Sequence, residues 1–292
     1  MKQNHLFSFS GLLCASILLG SVILSSCTSK PAPTAAGEES LFPNTYVLDD
    51  GKTTVTWIKD NQGHSLRDAS LFPDATPEVV KELGLEEGIP STISCFLLHV
   101  DGKWALFDTG LGLGKGLLVT ALDSLGVPPD SISVIYITHF HGDHIGGMVY
   151  EGKPVFPNAE VYAGQREFDA WIKEMPRENT KLQQEAMVVY NEHLHLFQFG
   201  DTLVHGVVAI DAVGHTPGHT VFQKENLLVI GDLMHGAALQ IPHPEYNARF
   251  DMDKDQAAAS RVRILKYAND NNLLMAGMHL AEPAFLEPGQ AK

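Results

Sequence analysis

The chain has 292 residues, with 35 acidic side chains against 20 basic ones and a formal net charge of −15. That balance argues against binding a nucleic-acid backbone, which needs a basic surface, and it fits a neutral small molecule better than a polyanion. A hydrophobic content of 44% is enough for a substantial core, and three cysteines leave little scope for a disulfide framework.

The N-terminus carries Lys2 and then an apolar run at residues 12–24 (LLCASILLGSVIL), too short to span a membrane. It ends in Leu24, Ser25, Ser26 and Cys27, which resembles the lipobox of bacterial lipoprotein signal peptides. Residues 1–26 are therefore expected to be a signal peptide and Cys27 the lipidated first residue, exported and anchored to the cell envelope. Residues 27–44, small, polar and Pro-containing, read as a flexible tether. Cys14 leaves with the signal and Cys27 carries lipid, so Cys95 is alone in the folded domain and reads as a small core residue.

Apolar runs at residues 54–58, 92–100 and 104–107 read as strands. Residues 110–116 (GLGLGKG) lack the spacing and the Ser or Thr of a phosphate-binding loop and read as a flexible turn. Residues 131–138 (SISVIYIT) are apolar and β-branched, a buried strand leading into His139, Phe140, His141, Gly142, Asp143 and His144. In an extended loop His139 and His141 point the same way and can share one metal ion. Gly142 lets the chain turn, so that Asp143 and His144 reach a second ion beside the first. Imidazole with carboxylate suits zinc, and also iron, manganese or cobalt.

Helical patterning follows near residues 164–173 and 181–192, then strands near 194–199 and 207–213. His193 and His195 read as same-face residues of a solvated strand rather than ligands. The second of those strands enters Gly214-His215-Thr216-Pro217-Gly218-His219-Thr220, where Pro-Gly forces a tight turn that aims one histidine into a cleft. Residues 227–230 form a short strand ending in Gly231 and Asp232, residues 255–268 a helix capped by Asp253 or Asp255, and residues 273–276 a strand ending near His279. Ligand chemistry at four strand ends argues for a single constructed site, and hence for one domain.

The order H-x-H-x-D-H, T-P-G-H, G-D and a late His, with residues 106–110 (LFDTG) upstream, resembles the metallo-β-lactamase-fold hydrolases from about residue 47 to residue 279. Residues 231–238 (GDLMHGAA), 250–253 (FDMD) and 276–280 (AGMHL) are similar to methyl parathion hydrolase-like enzymes. The resemblance implies an α/β fold over residues 45–292, a four-layer αββα sandwich. Relatives of this type continue further after the last histidine, and Pro283, Pro288 and Gly289 leave little room for a central strand, so a short C-terminal edge is expected.

By the same resemblance His139, His141 and His219 hold one ion, Asp143, His144 and His279 a second, and Asp232 bridges both. Asp108 braces the ligand loop. The Pro-Gly turn and the resemblance both favour His219 over His215 as ligand, leaving His215 to orient the loop. Phe140, His235 and Phe250 are candidates to line a substrate pocket with an apolar part. The expected function is hydrolysis with two divalent ions, zinc first among them. A bridging hydroxide attacks an ester, lactone or phosphotriester, with Asp232 and Asp143 as the catalytic carboxylates. Two rival readings remain: a one-iron oxygenase acting on persulfides, which reuses His139, His141, His219 and Asp232, and a non-catalytic metal-binding lipoprotein.

Overall fold

A computed structural model describes residues 44–63 and 65–290. The expected signal peptide, Cys27 and the expected tether up to residue 43 lie outside the described residues, as does His64. Among the described residues no helix is long and apolar enough to cross a membrane.

Two sheets form the centre, each running in chain order from edge to edge. The large sheet contains β1 (Thr45–Val47), β2 (Thr54–Lys59), β3 (Ser94–Val100), β4 (Lys103–Phe107), β5 (Ile132–Tyr136), β6 (Glu160–Gly164) and β7 (Leu194–Phe197). Its first four strands pair antiparallel, and from β4 onward the pairs are parallel. The small sheet contains β8 (Val208–Asp211), β9 (Thr220–Lys224), β10 (Leu227–Val229), β11 (Leu274–Ala276) and β12 (Phe285–Leu286). Pro283 and Pro288 flank β12, which is accordingly a two-residue edge strand rather than a central one.

Period-two alternation of apolar residues makes the large sheet a wall between two cores. From β3, Phe96 and Leu98 face the small sheet, while Cys95 and Leu97 face the opposite core. From β5 and the residue after it, Val134 and Tyr136 take the first side, Ile135 and Ile137 the second. Phe222 of β9 meets Phe107 and Tyr136 at ring-centroid distances of 5.8 and 5.7 Å, locking sheet to sheet. An aromatic side chain buried there contributes on the order of 2–3 kcal/mol.

Helices α1 (Pro77–Glu82), α2 (Leu118–Ser124), α3 (Gly142–Ile145), α4 (Gln165–Phe168), α5 (Lys181–Val189), α6 (Ala237–Gln240) and α7 (Lys254–Asp270) complete the fold. Leu118 and Leu122 of α2, with Ala186 and Met187 of α5, cover the outer core of the large sheet. α7 starts where Asp253 accepts a hydrogen bond from Gln256 N at 3.0 Å. Its buried residues Ala257, Ser260, Arg261, Ile264, Leu265 and Ala268 repeat at three and four, the signature of a one-faced helix. That face lies on the small sheet, with Tyr267 Oη donating to Gln223 Oε1 at 2.7 Å. The order of layers is helix, sheet, sheet, helix.

Candidate metal centre

Charged and imidazole side chains gather where strands of both sheets run out at their carboxyl ends, the position that layered α/β folds leave open. After β5 the chain stays extended through His139 and His141, and the two rings meet edge to face, with Nε2 of His139 3.1 Å from Nδ1 of His141. Nε2 of His215 lies 3.2 Å from the first of those atoms and 2.9 Å from the second. Oδ2 of Asp232, just beyond β10, stands 3.7 Å from His139 Nε2 and 3.3 Å from His215 Nε2. A tetrahedral ion with bonds of about 2.0–2.1 Å separates its ligands by roughly 3.4 Å. The separations given above, from 2.9 to 3.7 Å, bracket that spacing.

A second group shares Asp232. Its Oδ1 is 3.0 Å from His144 Nε2, and its Oδ2 is 3.1 Å from His279 Nε2. Asp143 fills the remaining side, 3.8 Å from His144 Nε2 and 3.4 Å from His279 Nε2. Gly142 opens α3, and the helical turn carries Asp143 and His144 away from His141 to this second group.

Each inward nitrogen is prepared from behind. Asp108 is buried and accepts from Thr138 N (2.8 Å), Thr138 Oγ1 (2.7 Å) and His144 Nδ1 (2.7 Å). With the Thr138 hydroxyl proton spent on Asp108, its oxygen accepts from His139 Nδ1 at 3.0 Å. His215 Nδ1 donates to Asp251 Oδ1 at 2.9 Å and His279 Nδ1 to Thr92 O at 2.7 Å. An Nδ1–H held on an outer acceptor leaves Nε2 as a lone pair. His139, His144, His215 and His279 are all oriented in this way, with Nε2 inward.

Burial pushes His141 down to about 4 and His215 to about 3, so both rings are neutral at neutral pH. His139 is driven down by the same cause. In the second group burial also opposes charge, but carboxylates outweigh it. Asp232, Asp108 and Asp143 raise His144, and Asp232 with Asp143 lifts His279 to about 9. Burial likewise opposes the charged forms of Asp143 and Asp232, yet the imidazoles around them hold both below the usual carboxylate range.

Two expectations are corrected. His219 does not join the first group; His215 stands there instead. The turn after residue 215 brings His219 back against β8, where Nδ1 donates to Ala212 O (3.0 Å) and Nε2 accepts Asp232 N–H (2.9 Å). Gly231 is required beside it: φ is +52°, and a Cβ there would lie 2.5 Å from His219 Nε2. Phe140 does not line a pocket. It alternates with His139 and His141 along extended chain, so its ring is buried in the outer core.

Phe250 is half exposed at the rim of a cleft of about 650 Å³ that His141, Asp143, Asp232, His235 and His279 also line. His235 is buried, stacked on His279 with centroids 5.0 Å apart, and 3.1 Å from Asp232 Oδ2, yet neither ring nitrogen makes a hydrogen bond. His193 and His195 both face Glu160 on the surface, away from the cleft.

Sequence patterning missed two buried braces. Glu167 of α4 accepts from Phe140 N (2.9 Å), Thr216 Oγ1 (2.8 Å) and Gly218 N (2.8 Å), tying the His139 loop to the His215 loop. Burial pushes it up to about 7 against the pull of those donors. Arg261 of α7 donates to Leu233 O (2.8 Å) and Pro244 O (2.7 Å) and pairs with Asp251 at 3.3 Å, seating the carboxylate that holds His215.

The family model of the metallo-beta-lactamase superfamily matches residues 88–279, a span that contains all of these ligand candidates. The chain belongs to the metallo-beta-lactamase superfamily. Among superfamily structures it is similar to the hydrolase AbOPH, at 25% identity and a TM-score of 0.74, covering 84% of this chain and 92% of that one. It is also similar to AidC, a dizinc quorum-quenching lactonase solved with a product, at 27% identity and a TM-score of 0.73, covering 83% and 92%. Curated relatives include the uncharacterized protein YobT of Bacillus subtilis, 28% identical over 48% of this chain and 61% of that protein. A probable metallo-hydrolase of Methanocaldococcus jannaschii is 27% identical over 44% and 49%. The chain thus spans about half to three-fifths of the length of the curated relatives it matches.

The donor set of this superfamily member fits divalent ions. It is all imidazole and carboxylate, and two of its buried atoms, His144 Nε2 and Asp232 Oδ1, have no hydrogen-bond partner. A cation held by these residues would satisfy both atoms and would take the place of the protons that the carboxylates otherwise hold on His144 and His279.

Proposed function

We propose that this chain is a hydrolase that holds two divalent ions, zinc first among them, and cleaves carboxylic esters or lactones, with phosphotriesters open to the same attack. The observation that carries this reading is the position of Asp232, one carboxylate shared by two groups of metal-type donors. His139, His141 and His215 form one group, and Asp143, His144 and His279 the other. The likeness to AidC supports the lactone among these substrates.

Ions held there supply Lewis acidity toward the scissile oxygen and lower the pKa of bound water into the neutral range. The chain's residues do the rest. Asp232 fixes the spacing of the two groups, and its backbone N–H is held by His219. Asp143, with 27% of its side chain exposed against 2% for Asp232, gives the proton released from water a route to solvent. His235, its ring nitrogens uncommitted, meets the substrate on the cleft wall. The one-iron rival leaves Asp143 and His279 without a task.

Asp232→Ala is expected to abolish binding of the ion pair and turnover of aryl esters and acyl lactones together, by a factor of about 10³ or more. Full turnover in that variant overturns the mechanism.

A further inference from the structure

Outside its metal-type donor groups, the wall of the cleft carries charge opposite to that of the molecule. Acidic residues outnumber basic ones by 35 to 20 overall, yet the only carboxylates among the cleft's lining residues are Asp143 and Asp232, both in the metal-binding groups. The rest of the wall carries two cations, Arg67 and Lys115, and no acid. Among the described residues neither cation has an ion-pair or side-chain hydrogen-bond partner.

Lys115 is held over the cleft by a built loop. At its base the buried Asp60 carboxylate accepts three backbone N–H groups, from Leu111 (2.7 Å), Leu117 (2.8 Å) and Leu118 (2.8 Å). On its inner side Gly112, at φ +90°, packs backbone to backbone on the segment after α3, where a Cβ would lie 2.2 Å from Gly146 O. The glycine-rich run at residues 110–116 is a turn, as expected, and it is tied at Gly112 to the segment after α3. Its tip presents Leu113, 42% exposed, beside Lys115. Two further exposed apolar side chains line the same cleft, Tyr150 and Phe250.

An apolar collar with two unpaired cations suits an amphiphile that bears a negative charge. We propose that Arg67 and Lys115 select a substrate with an apolar portion and a carboxylate remote from the scissile bond, an anionic ester or lactone. This rests on the hydrolase reading and sharpens it. The acidic surface as a whole still disfavours polyanions, but a single carboxylate is met by either cation alone.

The test uses the metal-loaded full chain and two para-nitrophenyl esters of one acyl length, ending in a methyl or in a carboxylate. At low salt the ratio of kcat/KM, carboxylate over methyl, is expected to be about tenfold, given two partly exposed charge contacts. It should fall toward unity in the double variant Arg67→Gln, Lys115→Gln, and in high salt. Equal ratios in both proteins, or a preference that survives the double substitution, overturn the proposal while leaving hydrolysis itself standing. Calorimetric binding of octanoate and octanamide, with metal content checked in each protein, gives an independent reading. The double variant should lose about tenfold in affinity for octanoate relative to octanamide. If neither ester is turned over, the hydrolase reading fails, and this binding comparison alone decides whether the cleft selects an anion.

Discussion

His215 and His219 sit four residues apart in one turn and do different work. His215 offers a lone pair to the first donor group because Asp251 holds its far nitrogen. His219 spends both nitrogens on backbone, Ala212 O on one side and Asp232 N–H on the other. His215→Ala is expected to cost one ion per chain and nearly all turnover. His219→Ala should retain two ions but leave a buried N–H unsatisfied, destabilising the fold by about 1–3 kcal/mol. Calorimetric metal titration paired with urea unfolding separates the two; loss of an ion in His219→Ala alone would reverse the assignment. The sequence showed that one of these histidines belonged to the site but not which, because the choice depends on where the turn returns the chain. That return is fixed by tertiary contacts with β8 and Gly231.

At the scale of elements, strands that stand out as apolar runs were legible: β2 to β5, β7, β8, β10 and β11, as was α7 with its Asp253 cap. β6 and β9 were not, since their short, mixed runs owe their conformation to neighbouring strands rather than to pattern. The braces were invisible for a similar reason. Glu167 looks like any surface acid of an amphipathic helix until Phe140, Thr216 and Gly218 are brought to it from 27 to 51 residues away. Its environment makes a pH prediction. The folded value is raised to about 7, above an unfolded value near 4.5, so the folded state binds the extra proton between those limits. The stability contributed is complete below pH about 4.5 and is lost as pH rises through about 7. In metal-free protein the stability gap between wild type and Glu167→Ala should therefore narrow from pH about 5 to about 8, by up to roughly 3 kcal/mol. A gap that stays constant, or widens, removes Glu167 as a titrating brace between the ligand loops.

For the whole molecule, two sheets bring together chemistry that the chain scatters from Asp108 to His279. Ligand-type residues at successive strand ends signalled this early, since β4 and β5, like β10 and β11, run parallel and open their carboxyl ends on one rim. Charge was the less faithful guide. A net charge of −15 describes the surface, whereas the cleft wall outside its metal-binding groups is basic. Patterning along the chain cannot resolve that inversion, because Arg67 and Lys115 come to one cleft only on folding. The measurement that bears most directly on the hydrolase reading is elemental analysis of the purified protein after equilibration with zinc. Two zinc ions per chain are expected, held through gel filtration and removed by chelation together with ester and lactone turnover. One ion or none, or turnover that persists in the chelated protein, contradicts it.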